Sequence, residues 1–109
     1  MKLFTLTLTE GQYMPEILKN ISKHGFHGSV LPTMSTKNAL ITYDTEQGPI
    51  FGGFSKVVNY PQTSRPMLYI VVKNDEEIKQ LFELVKEVVG DLTNKGFMYS
   101  IPVDTVDGI

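Results

Sequence analysis

A chain of 109 residues, 41% apolar and 20% charged, matches one small globular domain, which buries only about 60–70% of the surface its unfolded form exposes. The formal net charge of −2 gives no electrostatic footprint for nucleic acid or an anionic membrane. The absence of cysteine excludes disulfides, thiolate metal sites and a cysteine nucleophile, and fits a cytoplasmic protein.

The first segment alternates Phe4, Leu6 and Leu8 with Thr5, Thr7 and Thr9. Period two with β-branched partners predicts a strand covered on one face, not a secretory signal. Met14, Ile17, Leu18 and Ile21 then recur at helical spacing, with Glu16, Lys19 and Lys23 off that face. Thr9 or Glu10 is the expected cap, Pro15 suits a first turn, and Gly25 is placed to end the helix. A second strand is expected from Phe26 to about Met34.

From Ser35 to Pro66 the character changes. Gly48, Gly52, Gly53, Pro49, Pro61 and Pro66 punctuate a polar stretch, within which Ala39–Tyr43 and Phe54–Tyr60 read as short strand extensions. So long a connection inside a small domain points to function. Met67-Leu68-Tyr69-Ile70-Val71-Val72 reads as a central strand. Asn74-Asp75 caps a helix with Glu76 and Glu77 in its first turn, apolar positions at Ile78, Leu81, Phe82, Val85, Val88 and Val89, and an i,i+4 pair of Lys79 with Glu83. Gly90-Asp91 closes it. Phe97 to Ile101 forms the last strand, limited by Pro102. No run approaches the ~20 apolar residues that span a bilayer.

The order βαβ–loop–βαβ predicts an α+β, ferredoxin-like domain over 1–109: a four-stranded antiparallel sheet with both helices on one face. Leu3, Leu68, Ile70, Val72 and Met98 are expected to leave the other face partly apolar, calling for burial against further copies.

Element order and three local matches carry a resemblance over the whole chain. Ile21-Ser22-Lys23-His24-Gly25-Phe26-His27-Gly28, Val57-Val58-Asn59-Tyr60-Pro61 and Gly96-Phe97-Met98-Tyr99-Ser100-Ile101-Pro102-Val103-Asp104 resemble, in order and spacing, the end of the first helix, the end of the mobile T-loop and the last strand of the PII signal-transduction family. The resemblance implies a cytoplasmic, non-enzymatic homotrimer. It would bind a small molecule of the adenine-nucleotide type between subunits and regulate a target protein through the T-loop. It places Gly28, Ser29, Thr36, Lys37, Lys95 and Gly96 at the ligand. Phe51, Gly52, Gly53 and Phe54 fall on the partner-binding loop. No catalytic residue, metal or obligatory cofactor is implied, nor nucleic acid or membrane insertion. The target is expected to be a transporter, enzyme or regulator.

The chain departs from the family in three places. The segment before the last strand is short, with Lys95 its only cation. The C-terminal arginines are missing. Phe51 stands where some members carry a modified tyrosine, so the chain reads as a divergent member. One ammonium favours a monophosphate or cyclic nucleotide over ATP.

Two other readings compete. A trimeric metal-tolerance protein of the CutA type shares the topology, but His24 and His27 are the only histidines and zinc normally takes three or four protein ligands. A small ferredoxin-like or chorismate-mutase-like enzyme would need convergent charges, for which Lys37, Arg65 and Lys95 are the candidates. Lys56 and Arg65 are otherwise solubilising charges or anion contacts. Asp44, Glu46 and Asp104 form no recognisable carboxylate pair.

Overall fold

The structure, a computed structural model, describes residues 1–46 and 65–109. Its strands are β1 (Lys2–Leu8), β2 (Ser29–Thr33), β3 (Arg65–Val72) and β4 (Gly96–Pro102). Its helices are α1 (Met14–Lys23), α2 (Thr36–Glu46) and α3 (Asp75–Val89), with a single 3₁₀ turn at Gly11–Tyr13 before α1. The sheet order is β2-β3-β1-β4 with every pairing antiparallel. This is the ferredoxin-like α+β arrangement expected from the sequence, with α2 added between β2 and β3.

Alternation in β1 sends Phe4, Leu6 and Leu8 under the helices, where all three are fully buried. In register, Phe4 lies opposite Ile70 and Leu6 opposite Leu68, so these β3 residues share that face. Ile17 and Ile21 of α1 and Leu81, Leu84 and Val85 of α3 close the core from above. Phe4 and Phe82 meet at a tilt with centroids 5.9 Å apart. Each fully buried side chain of this size contributes about 1.5–3 kcal/mol.

The helix ends follow local chemistry. Gly25 has φ +84°. Its amide donates to Ser22 O and that of Phe26 to Ile21 O, a Schellman ending that satisfies two orphan carbonyls. Asn74 Oδ1 accepts from the Glu77 amide at 3.0 Å, and Glu77 Oε1 accepts from the Lys73 amide at 3.2 Å, which ties down the start of α3 reciprocally.

Five local expectations need correction. The second strand begins at Ser29, not Phe26, because Phe26 leaves the helix cap to bury its ring in the core. Ala39–Tyr43 is helical rather than extended: Ser35 Oγ accepts from the Asn38 amide at 3.1 Å and Ser35 O from the Ala39 amide at 2.8 Å, starting a turn. Neither Thr9 nor Glu10 caps α1. The Thr9 hydroxyl instead donates to Lys95 O at 3.0 Å. Lys79 and Glu83 are not joined; the ion pairs among the described residues are Lys2–Asp75 at 3.6 Å and Lys19–Glu16 at 3.5 Å. Leu68, Ile70 and Val72 belong to the core, and Met98 packs against it. Of the residues assigned to the open face only Leu3 lies there.

Candidate functional site

Strand parity fixes what the uncovered face of the sheet presents. Thr5 stands between Tyr69 and Tyr99, Thr7 between Met67 and Phe97, and Leu3 between Val71 and Ile101. Leu31 continues the face beside Met67. Tyr69, Phe97, Tyr99, Ile101 and Leu31 are exposed, and the rings of Phe97 and Tyr99 stack with centroids 6.1 Å apart. Exposed apolar faces of this kind are candidate interaction surfaces. Thr5 adds a polar mark: it is 4% exposed, and its Oγ1 has no hydrogen-bond partner among the described residues. Left so, the hydroxyl costs about 1–3 kcal/mol.

The residues expected at a ligand fall into two groups. Gly28 and Ser29 lie at the start of β2, one edge of the sheet, with Ser29 exposed and opposite Tyr69. Thr36 and Lys37 follow close by. They form the exposed first turn of α2 rather than opening a loop. Lys95 and Gly96 lie at the start of β4, the other edge. Three strand spacings of ~4.8 Å, roughly 14 Å, separate the edges, so one copy does not bring the two groups together. Phe51, Gly52, Gly53 and Phe54 lie outside the described residues.

Two of these residues have roles within the chain that the sequence did not disclose. A Cβ on Gly28 would stand 2.3 Å from Tyr69 O and 2.5 Å from Ile70 Cγ1, so β3 passes where any side chain would be. Lys95 Nζ donates to Val89 O at 2.9 Å and stands 5.6 Å from the centroid of the Tyr13 ring. It thereby places a cation on the negative end of α3. Beside it Asp91 Oδ1 accepts from the Thr93 amide at 2.9 Å and from the Thr93 hydroxyl at 2.8 Å. These two bonds hold the Asp91 carboxyl below its ordinary value; desolvation opposes them, and the fields of Lys86 and Lys95 add smaller lowering.

Sequence reasoning also missed a shallow polar groove between α1 and α3, lined by Glu16, Lys19, Asn20, Lys23, Glu87 and Val88. Asn20 Nδ2 donates there to Leu84 O at 2.8 Å and to Glu87 Oε2 at 2.9 Å, tying the two helices together. His24 Nδ1 lies 3.0 Å from Asn20 O, a helix-end contact. Among the described residues no three metal-ligating side chains converge, and no helix is long and apolar enough to cross a membrane.

No family model matches the chain, and no curated protein matches it. Among solved structures it is similar to the crystal structure of a functionally unknown protein from Pediococcus pentosaceus ATCC 25745. The TM-score is 0.60 at 10% sequence identity, over 99% of this chain and 97% of that one. At that identity the likeness bears on the fold alone.

Proposed function

We propose that this chain is a PII-like, non-enzymatic regulator. In this reading three copies bury their open sheet faces, a small molecule is held between neighbouring copies, and the segment joining β2 to β3 carries the response to a target protein. The observation that carries the reading is the β2–β3 connection. Thr33 pairs directly with Arg65, a geometry a hairpin closes with two to five residues, yet residues 34–64 separate the two in sequence. An insertion of that length at a fixed base costs little in loop entropy and suits a recognition element. The separation of Ser29 and Lys95 onto opposite edges supports a ligand bound across two copies rather than within one.

The ligand is an adenine nucleotide of low charge, a monophosphate or cyclic nucleotide, because Lys95 is the single cation before β4 and is a point-charge donor. Isothermal calorimetry against AMP, ADP, ATP, cyclic mononucleotides, cyclic dinucleotides and divalent metals tests this. Saturable binding with a preference for the less charged ligands is expected. Heat only with divalent metals, or with no member of the panel, removes the sensor reading.

A further inference from the structure

The fold engages the Lys95 ammonium from two sides before any ligand arrives. It donates to Val89 O at 2.9 Å, and the Tyr13 ring centroid stands 5.6 Å from the nitrogen. The root of the side chain is fixed as well. The Lys95 carbonyl accepts from the Thr9 amide at 2.9 Å and from the Thr9 hydroxyl at 3.0 Å, and the Lys95 amide donates to Leu92 O at 2.8 Å. A half-buried side chain thus starts from a pinned backbone and ends on the last turn of α3.

That resting place suits a cation and disfavours an anion. The end of a helix carries the negative pole of its dipole, on carbonyls that have no amide partner within the helix. Asp91 adds a carboxylate two residues past the end of α3. The Thr93 amide and hydroxyl both donate to it, which favours its charged form, and it lies within the field of Lys95. A phosphate carried to the ammonium where it rests would meet those carbonyls and that carboxylate at short range.

We infer that Lys95 is latched: Val89 O and the Tyr13 ring hold its ammonium at the end of α3 in the unliganded chain, and a phosphate must draw it off both in order to bind. The inference rests on the nucleotide reading above and adds a regulation of that site, in which Tyr13 is a positioning residue that opposes the ligand. Lysine suits the task. Its ammonium is a compact charge on a flexible four-carbon stem and can exchange one partner for another, which a planar guanidinium fork does less readily. A latch of this kind also makes the cap of α3 and the ligand alternatives: what strengthens one weakens the other.

AMP is the probe, and calorimetry compares wild type, Tyr13→Leu and Lys95→Met, with circular dichroism confirming each fold. Tyr13→Leu keeps an apolar side chain and removes the ring. It is expected to bind AMP about two- to fivefold more tightly than wild type, the factor that corresponds to a partly exposed cation–π contact. Damage to the fold would move affinity the other way. Lys95→Met is expected to bind at least about tenfold more weakly. A second measurement needs no substitution at Tyr13. The ring ¹³C signals of Tyr13 are followed in free wild type, in AMP-saturated wild type and in Lys95→Met, and saturation should move them toward their positions in Lys95→Met. Unchanged or weaker AMP binding by folded Tyr13→Leu, or ring signals that stay in place at saturation, overturns the latch and leaves the nucleotide reading standing. If Tyr13→Leu does not fold, the ring signals decide. No AMP binding by wild type or by Tyr13→Leu also overturns the latch, and the wider calorimetric panel then decides the nucleotide reading by itself.

Discussion

The Lys95 ammonium and the Val89 carbonyl are joined across the last turn of α3, 2.9 Å apart, with the Tyr13 ring against the same ammonium. One residue thus closes a helix, steadies the turn into β4 and is the cation offered to a phosphate in the proposed cleft. The roles compete for the same ammonium, and substitution separates them.

Lys95→Ala is expected to lower stability by about 1–2 kcal/mol, the lower part of the scale for a hydrogen bond from a charged group, since the side chain is half-buried. Lys95→Met keeps the alkyl stem on Tyr13 and should recover part of that loss but none of the nucleotide affinity. Urea denaturation measures the first effect and calorimetry the second. Equal stability of Lys95→Ala and wild type would show that the Val89 bond contributes nothing.

Gly28 and Ser29 are expected to behave oppositely. Gly28→Ala drives a methyl into Tyr69 O and Ile70 Cγ1, and overpacking against a central strand costs about 1–3 kcal/mol or more. Ser29→Ala removes an exposed hydroxyl and should change stability by less than about 0.5 kcal/mol, while weakening any nucleotide seated at the β2 edge. Thermal melts with and without AMP distinguish the two. A neutral Gly28→Ala would mean that β2 and β3 separate more easily than their pairing implies.

These cases show what the sequence made legible. Alternation in β1, the glycine ending of α1 and the Asn74 cap each write a local rule in one or two residue types, and all three were readable. The parity of β3 was not, because six consecutive apolar residues from Met67 to Val72 carry no period. Only the register that sets Leu68 opposite Leu6 decides which of them face the helices. In α2 the β-branched Ile41 and Thr42 favoured a strand, and the outcome turned on the Ser35 cap, whose hydroxyl outweighs a weak propensity. The reach of Lys95 to a carbonyl six residues away is a rotamer choice that no spacing rule encodes.

Asp91 gives a pH dependence of known sign. The Thr93 amide and hydroxyl, with Lys86 and Lys95 nearby, lower its carboxyl from the usual 3.8, so the folded state binds its proton less readily than the unfolded chain. Its stabilising contribution is therefore full above the unfolded value and disappears as pH falls through the folded one. Wild type should exceed Asp91→Asn in melting temperature at pH 7, and the gap should narrow as pH falls through the lowered folded-state value. Carboxyl titration by NMR locates the midpoint. A gap that widens in acid would contradict the assignment.

Hydrogen exchange gives the last prediction, because α2 and β3 represent extremes of protection. Amides at Phe4, Leu6 and Ile70 lie in a paired sheet beneath two helices, and their exchange requires opening close to global unfolding. Those of Leu40 and Ile41 belong to an 11-residue helix, shorter than the length at which isolated helices hold in water, so local fraying suffices. At low micromolar concentration the α2 amides should exchange at least a hundredfold faster than those of β1 and β3. Mass spectrometry after proteolysis separates residues 36–46 from 65–72. Equal protection of the two segments would show that α2 is held as firmly as the sheet.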